Sequence, residues 1–126
     1  MLTERGGFPD RLQEVAVKLI GRERCRRYSG YGHITDRMIC AGYEAGGRDA
    51  CAGDSGGPLV CRDGPDQNSP WVLYGIVSWG YGCARPGNPG VYALVPSLID
   101  WVKEQTGLGI IYSYCISSIH IFRSNC

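Results

Sequence analysis

Residues 51–61, CAGDSGGPLVC, constrain this chain more than any other stretch. Gly56, Gly57 and Pro58 follow one another directly, so a helix cannot start there: glycine loses the most conformational freedom on ordering, and proline has no N–H to donate. Leu59, Val60 and Cys61 then read as a β-strand. The segment is therefore a turn that presents one serine, Ser55, just ahead of a strand. A serine hydroxyl is inert as a nucleophile until a base takes its proton and donors receive the oxyanion. Gly53 and Gly56 carry no Cβ, so a substrate carbonyl can approach the backbone and the N–H groups of Gly53 and Ser55 can point at one spot.

The same residues satisfy G-x-S-x-G, the nucleophile elbow of α/β-hydrolases. An elbow serine sits between a strand and a helix, and the glycine-proline run excludes that helix. Cysteines at both ends of the stretch also suit an oxidised extracellular protein better than a cytosolic hydrolase.

The wider composition agrees with a turn-rich β domain. The 126 residues have room for one domain, and 44% hydrophobic content supplies a modest core. Nineteen glycines and seven prolines argue for short strands joined by turns. A net charge of +1 provides no global field for nucleic acid or an anionic membrane, and neither is expected as a partner. The basic run around Arg22, Arg24, Arg26 and Arg27 reads as a solvated helix face, with a heparin or docking patch as its rival. Seven cysteines imply an oxidising compartment and hence secretion, although nothing in residues 1–20 resembles a signal peptide.

Alternation predicts a strand over residues 12–20, then a short helix over 22–28 and a turn over 29–32. Further strands are predicted over 39–42, 58–61, 71–79 and 90–95. Residues 96–106 read as the one good helix, ended by Gly107, with Leu98, Ile99, Trp101 and Val102 placed to pack inward. Residues 108–126 are apolar and serine-rich, but Ser113, Ser117, Ser118 and His120 interrupt the roughly 20 apolar residues a membrane span needs.

Five motifs in order, MICAGY at 38–43, GDSGGPLVC at 53–61, GIVSWG at 75–80, PGVY at 89–92 and IDWV at 99–102, make residues 3–107 resemble the C-terminal half of a trypsin-like serine protease of the chymotrypsin family, peptidase S1. The resemblance implies an all-β fold: the second β-barrel of the two-barrel architecture, with its first strand missing and a short C-terminal helix. Residues 3–7 resemble the loop after that strand. Residues 1–107 are then the barrel, and 108–126 a non-family tail, read as an alternative or read-through end with a structured extension or a membrane anchor as its rivals. Disulfides Cys25–Cys40 and Cys51–Cys83 are implied. The family partner of Cys61 would precede residue 1, which leaves the pairing of Cys61, Cys115 and Cys126 open.

By motif position, the resemblance implies that Ser55 is the nucleophile and that the N–H groups of Gly53 and Ser55 form the oxyanion hole. Asp54 would pair with an amino terminus created by zymogen cleavage. Asp49 would sit at the base of the specificity pocket, walled by Ser78, Trp79, Gly80 and Gly90, where a buried carboxylate favours arginine or lysine. Residues 78–80 would pair with the substrate backbone as an added strand. Pro89 before Gly90 matches members without a sodium site, and no metal or cofactor is implied. The histidine base and its orienting aspartate belong to motifs of the N-terminal barrel, and neither motif occurs here. His33 is expected to lie remote from the nucleophile, and His120 falls in the tail.

The expected function is thus a serine endopeptidase cleaving protein or peptide substrates after arginine or lysine, open to serine protease inhibitors. The chain alone, lacking the catalytic half with its histidine and aspartate, is expected to be nearly inactive. The alternatives are a non-catalytic pseudoprotease that binds inhibitors or substrates, and a fragment whose open barrel edge prevents folding.

Overall fold

A computed structural model describes residues 8–107. Leu73, Gly75 and Val77 alternate with Val72, Tyr74 and Ile76 in the longest strand, β4 (Trp71–Trp79), around which the sheet is built. The other strands are β1 (Leu19–Ile20), β2 (Met38–Ala41), β3 (Pro58–Arg62) and β5 (Gly90–Leu94). They form one antiparallel sheet in the order β1-β2-β5-β4-β3. Helix α1 (Arg22–Cys25) follows β1, while a 3₁₀ turn (Val95–Ser97) and helix α2 (Ile99–Thr106) follow β5. The chain is all-β with a short C-terminal helix, and its sheet is open: β1 and β3 are terminal strands that do not pair with each other.

Two apolar clusters lie against the sheet. Ile20, Cys25, Tyr31, Ile34, Cys40 and Val91 form one, and the Cys25–Cys40 disulfide, with S–S 1.95 Å, runs through it. Ala41, Leu59 and Tyr92 form the second, with Val17, Ile39 and Val77 packed around them. In the chain-entropy view, closing the 15-residue separation stabilises the fold by about 3 kcal/mol.

Three sequence expectations are corrected. The strand predicted over residues 12–20 is a ladder only at Leu19 and Ile20, opposite Ala41 and Cys40. Its alternation is real, since Gln13, Val15 and Val17 are half-buried between exposed neighbours. Alternation makes a face, however, and a strand also needs a partner for its N–H and C=O groups. The helix predicted over 96–106 divides at Leu98, whose N–H closes the 3₁₀ turn on Val95 O at 2.9 Å before α2 begins. Trp101, expected to pack inward, is 61% exposed, because no described element covers that side of α2. The helix stops as expected at Gly107, which takes a left-handed φ of 65° and donates to Lys103 O at 3.0 Å.

None of the described helices is long and apolar enough to cross a membrane. Residues 3–7, the tail 108–126, Cys115, His120 and Cys126 lie outside the described residues.

Candidate active site

Two consecutive turns hold the nucleophile loop. Asp54 N donates to Cys51 O at 2.9 Å and Gly57 N to Asp54 O at 2.8 Å. The loop is tied to β4 by Gly56 N to Val77 O and Val77 N to Gly57 O, both 2.9 Å. Gly53 adopts a φ of 96°, a conformation a side chain would strain, and the Phe8 ring lies where its Cβ would be. Asp54 Oδ2 accepts the Cys51 N–H at 2.8 Å, so its carboxylate braces its own loop.

Ser55 is exposed at the tip. The N–H groups of Gly53 and Ser55 donate to no acceptor among the described residues, whereas those of Asp54, Gly56 and Gly57 are all taken. The loop thus leaves free the two donors that the sequence pattern singled out. No histidine or carboxylate bonds to the Ser55 hydroxyl among the described residues.

A cavity of about 300 Å³ opens beside Ser55, and Asp49, Ser78, Trp79, Gly80 and Gly90 line it together with that serine. The Cys51–Cys83 disulfide, S–S 2.07 Å, also lies in its wall and joins the nucleophile loop to the segment after β4. Asp49 is 3% exposed and is the one buried charged residue described. Its Oδ1 accepts from Ala50 N at 2.8 Å and its Oδ2 from Ala84 N at 3.0 Å, with no cationic partner among the described residues. Burial raises its carboxyl above the ordinary aspartate value of 3.8, the two N–H donors oppose that shift, and the nearby Asp54 adds to it.

The walls follow from the sheet. Val77 pairs with Tyr92 and Trp79 with Val91, which leaves Ser78 in a bulge. The β3 ladder ends at Ile76, and Val77 is held by Gly56 and Gly57, so residues 78–80 keep an open edge on that side. Opposite, buried Tyr31 donates its hydroxyl to Pro89 O at 2.9 Å and so anchors the backbone ahead of Gly90.

Sequence reading missed four contributors. Ala84 sits at φ 53°, the one non-glycine described residue with positive φ, fixed by its N–H to Asp49 and by Gly47 N to its carbonyl at 2.8 Å. Tyr31, read as part of a turn, is fully buried, and its position between Gly30 and Gly32 was the available hint. Phe8 rests on Gly53 with no local signal at all. His33 stacks on Trp79, a residue of the pocket wall, with ring centroids 5.0 Å apart and planes 14° apart, a contact with no sign in the sequence.

An open antiparallel sheet presenting an exposed serine beside a buried carboxylate defines a chymotrypsin-like half-domain. Comparison with known proteins agrees: the family model described as Trypsin matches residues 2–102, and the chain belongs to the trypsin family. It is 52% identical over 101 residues to Trypsin-1 of Astacus astacus, covering 80% of this chain and 41% of that protein. It is 50% identical over 98 residues to Trypsin 5G1 of Aedes aegypti, covering 77% and 34%. With Transmembrane protease serine 9 of Rattus norvegicus the identity is 46% over 103 residues, covering 82% and 9%. The chain therefore spans less than half the length of each of these relatives.

Proposed function

We propose that this chain is the nucleophile-bearing half of a serine endopeptidase that cleaves proteins after arginine or lysine through an acyl-enzyme on Ser55. The observation that carries the proposal is one cavity containing both exposed Ser55 and buried Asp49, whose carboxylate has no cationic partner among the described residues. An unpaired buried carboxylate is costly. A guanidinium or ammonium group entering the cavity would supply the missing charge, with guanidinium able to bond both oxygens.

In this reading Ser55 Oγ attacks the carbonyl carbon, and the free N–H groups of Gly53 and Ser55 receive the oxyanion. The open edge of residues 78–80 takes the substrate backbone as an added strand. Asp54 would exchange part of its loop bonding for a new amino terminus in the activated protein. The base is not supplied by the described residues, and its loss in an enzyme of this chemistry costs about a million-fold in rate. The chain alone is then nearly inactive, and its partners are basic substrates and serine protease inhibitors. Two disulfides support a secreted protein.

The test is a protein carrying this chain together with an N-terminal catalytic barrel, assayed on peptide amides that differ only in arginine, lysine or phenylalanine before the scissile bond. Cleavage after arginine and lysine, abolished by Ser55→Ala, is expected. Equal cleavage after phenylalanine, or activity surviving Ser55→Ala, would overturn the reading. The absence of a base near Ser55 among the described residues favours a second reading for the chain by itself, a module that binds basic peptides without cleaving them. Benzamidine binding without fluorophosphonate labelling of Ser55 is the signature of that state.

A further inference from the structure

The basic run at residues 22–27 plays no part in the site around Ser55. RERCRR holds four arginines and one glutamate, a net +3, whereas the whole chain is +1, so the other 120 residues together carry −2. Positive charge is thus concentrated in one place. Cys25 is the one buried residue of α1, pinned to Cys40 by its disulfide, so the arginines occupy the other sides of the helix.

Two of them are held in place. Arg26 Nε donates to Ile34 O at 2.9 Å and Arg22 Nη2 to Asp36 O at 3.3 Å, which fastens α1 to residues 34–36 and brings Arg37 to the same surface. A carbonyl accepts a hydrogen bond without neutralising the guanidinium, so the charge remains. The ion pairs here are exposed: Arg24 with Glu44 at 3.0 Å, side chains 64% and 72% exposed, and Arg26 with Glu23 at 3.4 Å, 40% and 84%. Such pairs are worth little in water, so a polyanion displaces them at small cost. Arg27 and Arg37 are exposed, and their side chains make no ion pair among the described residues. Against five arginines stand three carboxylates, Glu23, Asp36 and Glu44, and the surface stays positive.

We propose that this surface binds a sulfated polysaccharide, at an exosite separate from the pocket of Asp49. None of the five arginines lines that pocket. All the cations are arginine, whose planar fork matches two oxygens of a sulfate group as it matches those of carboxylate and phosphate. No large apolar side chain is exposed over residues 22–27, and Tyr28 packs on the core cluster. A folded protein partner needs aromatic or apolar anchors buried at the centre of its contact. A flexible polyanion needs none, because the release of its condensed counterions drives binding to clustered cations. Two disulfides suit an extracellular chain, where the polyanions met are sulfated glycans rather than nucleic acid.

The test is titration of a labelled heparin dodecasaccharide with the folded full chain, followed by fluorescence anisotropy at low salt. Saturable binding is expected, weakening as salt rises. Arg24→Gln/Arg27→Gln leaves both carbonyl-anchored arginines in place and should bind about tenfold more weakly, with a log–log salt slope smaller by about 1–2. Arg27→Gln, whose side chain makes no ion pair to lose, should show about a threefold loss and serves where the double variant does not melt like the parent. Arg11→Gln/Arg62→Gln removes the same charge elsewhere, Arg62 ending β3 at the opposite edge of the sheet from β1 and α1, and should leave affinity nearly unchanged. No saturable binding to the parent, equal losses in the two double variants, or equal affinity for heparin stripped of its sulfates would overturn the proposal. So would a single-stranded dodecanucleotide or a poly-glutamate peptide bound as tightly as the heparin, since the surface would then serve another class of polyanion. None of these outcomes bears on Ser55 or Asp49, so the catalytic reading stands or falls separately.

Discussion

Gly90 borders the space into which the Asp49 carboxylate projects: a Cβ built on Gly90 would collide with Asp49 Oδ1. It would also stand 3.2 Å from the Tyr92 ring. Backbone approach, rather than a side-chain contact, thus forms the inner rim of the pocket. Gly90→Ala should destabilise the fold by about 1–3 kcal/mol through overpacking and lower benzamidine affinity more than tenfold. Parallel denaturant melts and ligand titrations check both. Unchanged binding would mean that the pocket does not use this rim.

The Asp49 carboxyl is raised above 3.8 chiefly by burial. For a raised carboxyl the native state binds the proton more tightly than the unfolded chain, so in the window above 3.8 the contribution of Asp49 to stability improves as pH falls. Cation binding needs the ionised form and weakens over the same window. Benzamidine affinity and the stability term of Asp49 should therefore move in opposite directions on acidification. Melts and titrations of the chain against Asp49→Asn across that range measure this. A variant with the same pH dependence as the parent would contradict it.

The two disulfides should separate stability from site geometry. Cys51→Ser/Cys83→Ser opens a 32-residue separation, worth roughly 3–4 kcal/mol in the chain-entropy model, and frees the pocket wall, so both the denaturant midpoint and ligand binding should fall. Cys25→Ser/Cys40→Ser should cost about 3 kcal/mol for its 15-residue separation. Because neither Cys25 nor Cys40 lines the pocket, the folded fraction should keep more of its benzamidine affinity than Cys51→Ser/Cys83→Ser does. Equal binding losses in the two variants would argue against a local role for Cys51–Cys83.

Tyr31→Phe removes the buried donor to Pro89 O and leaves that carbonyl without its 2.9 Å bond. The expected cost is about 1–3 kcal/mol, with weaker benzamidine binding because Pro89 precedes the Gly90 rim. Thermal melts and titrations of the variant test this, and a loss of stability with unaltered binding would confine Tyr31 to the core.

What could be read from the sequence depended on whether a residue's role is local. The turn at 53–57 follows from consecutive glycines and proline, and β4 from its alternation, so both appear where expected. Residues 12–18 and Trp101 were misjudged because periodicity defines a face without supplying the neighbour that covers it. Ala84 was invisible because its positive φ is imposed by hydrogen bonds to Asp49 and Gly47, 35 and 37 residues earlier in the chain. The stacking of His33 on Trp79 was invisible for the same reason, since 46 residues separate the two in sequence.

The central claim is that the cavity beside Ser55 selects a cation through Asp49. Titration of the folded full chain with benzamidine, set against Asp49→Asn, tests it most directly. The account predicts saturable binding to the parent and a loss of about 10- to 100-fold in the variant, as expected for removing a charge-assisted contact of 1.5–3 kcal/mol. Equal affinity in the two proteins, or no binding to a parent shown to be folded, would contradict it.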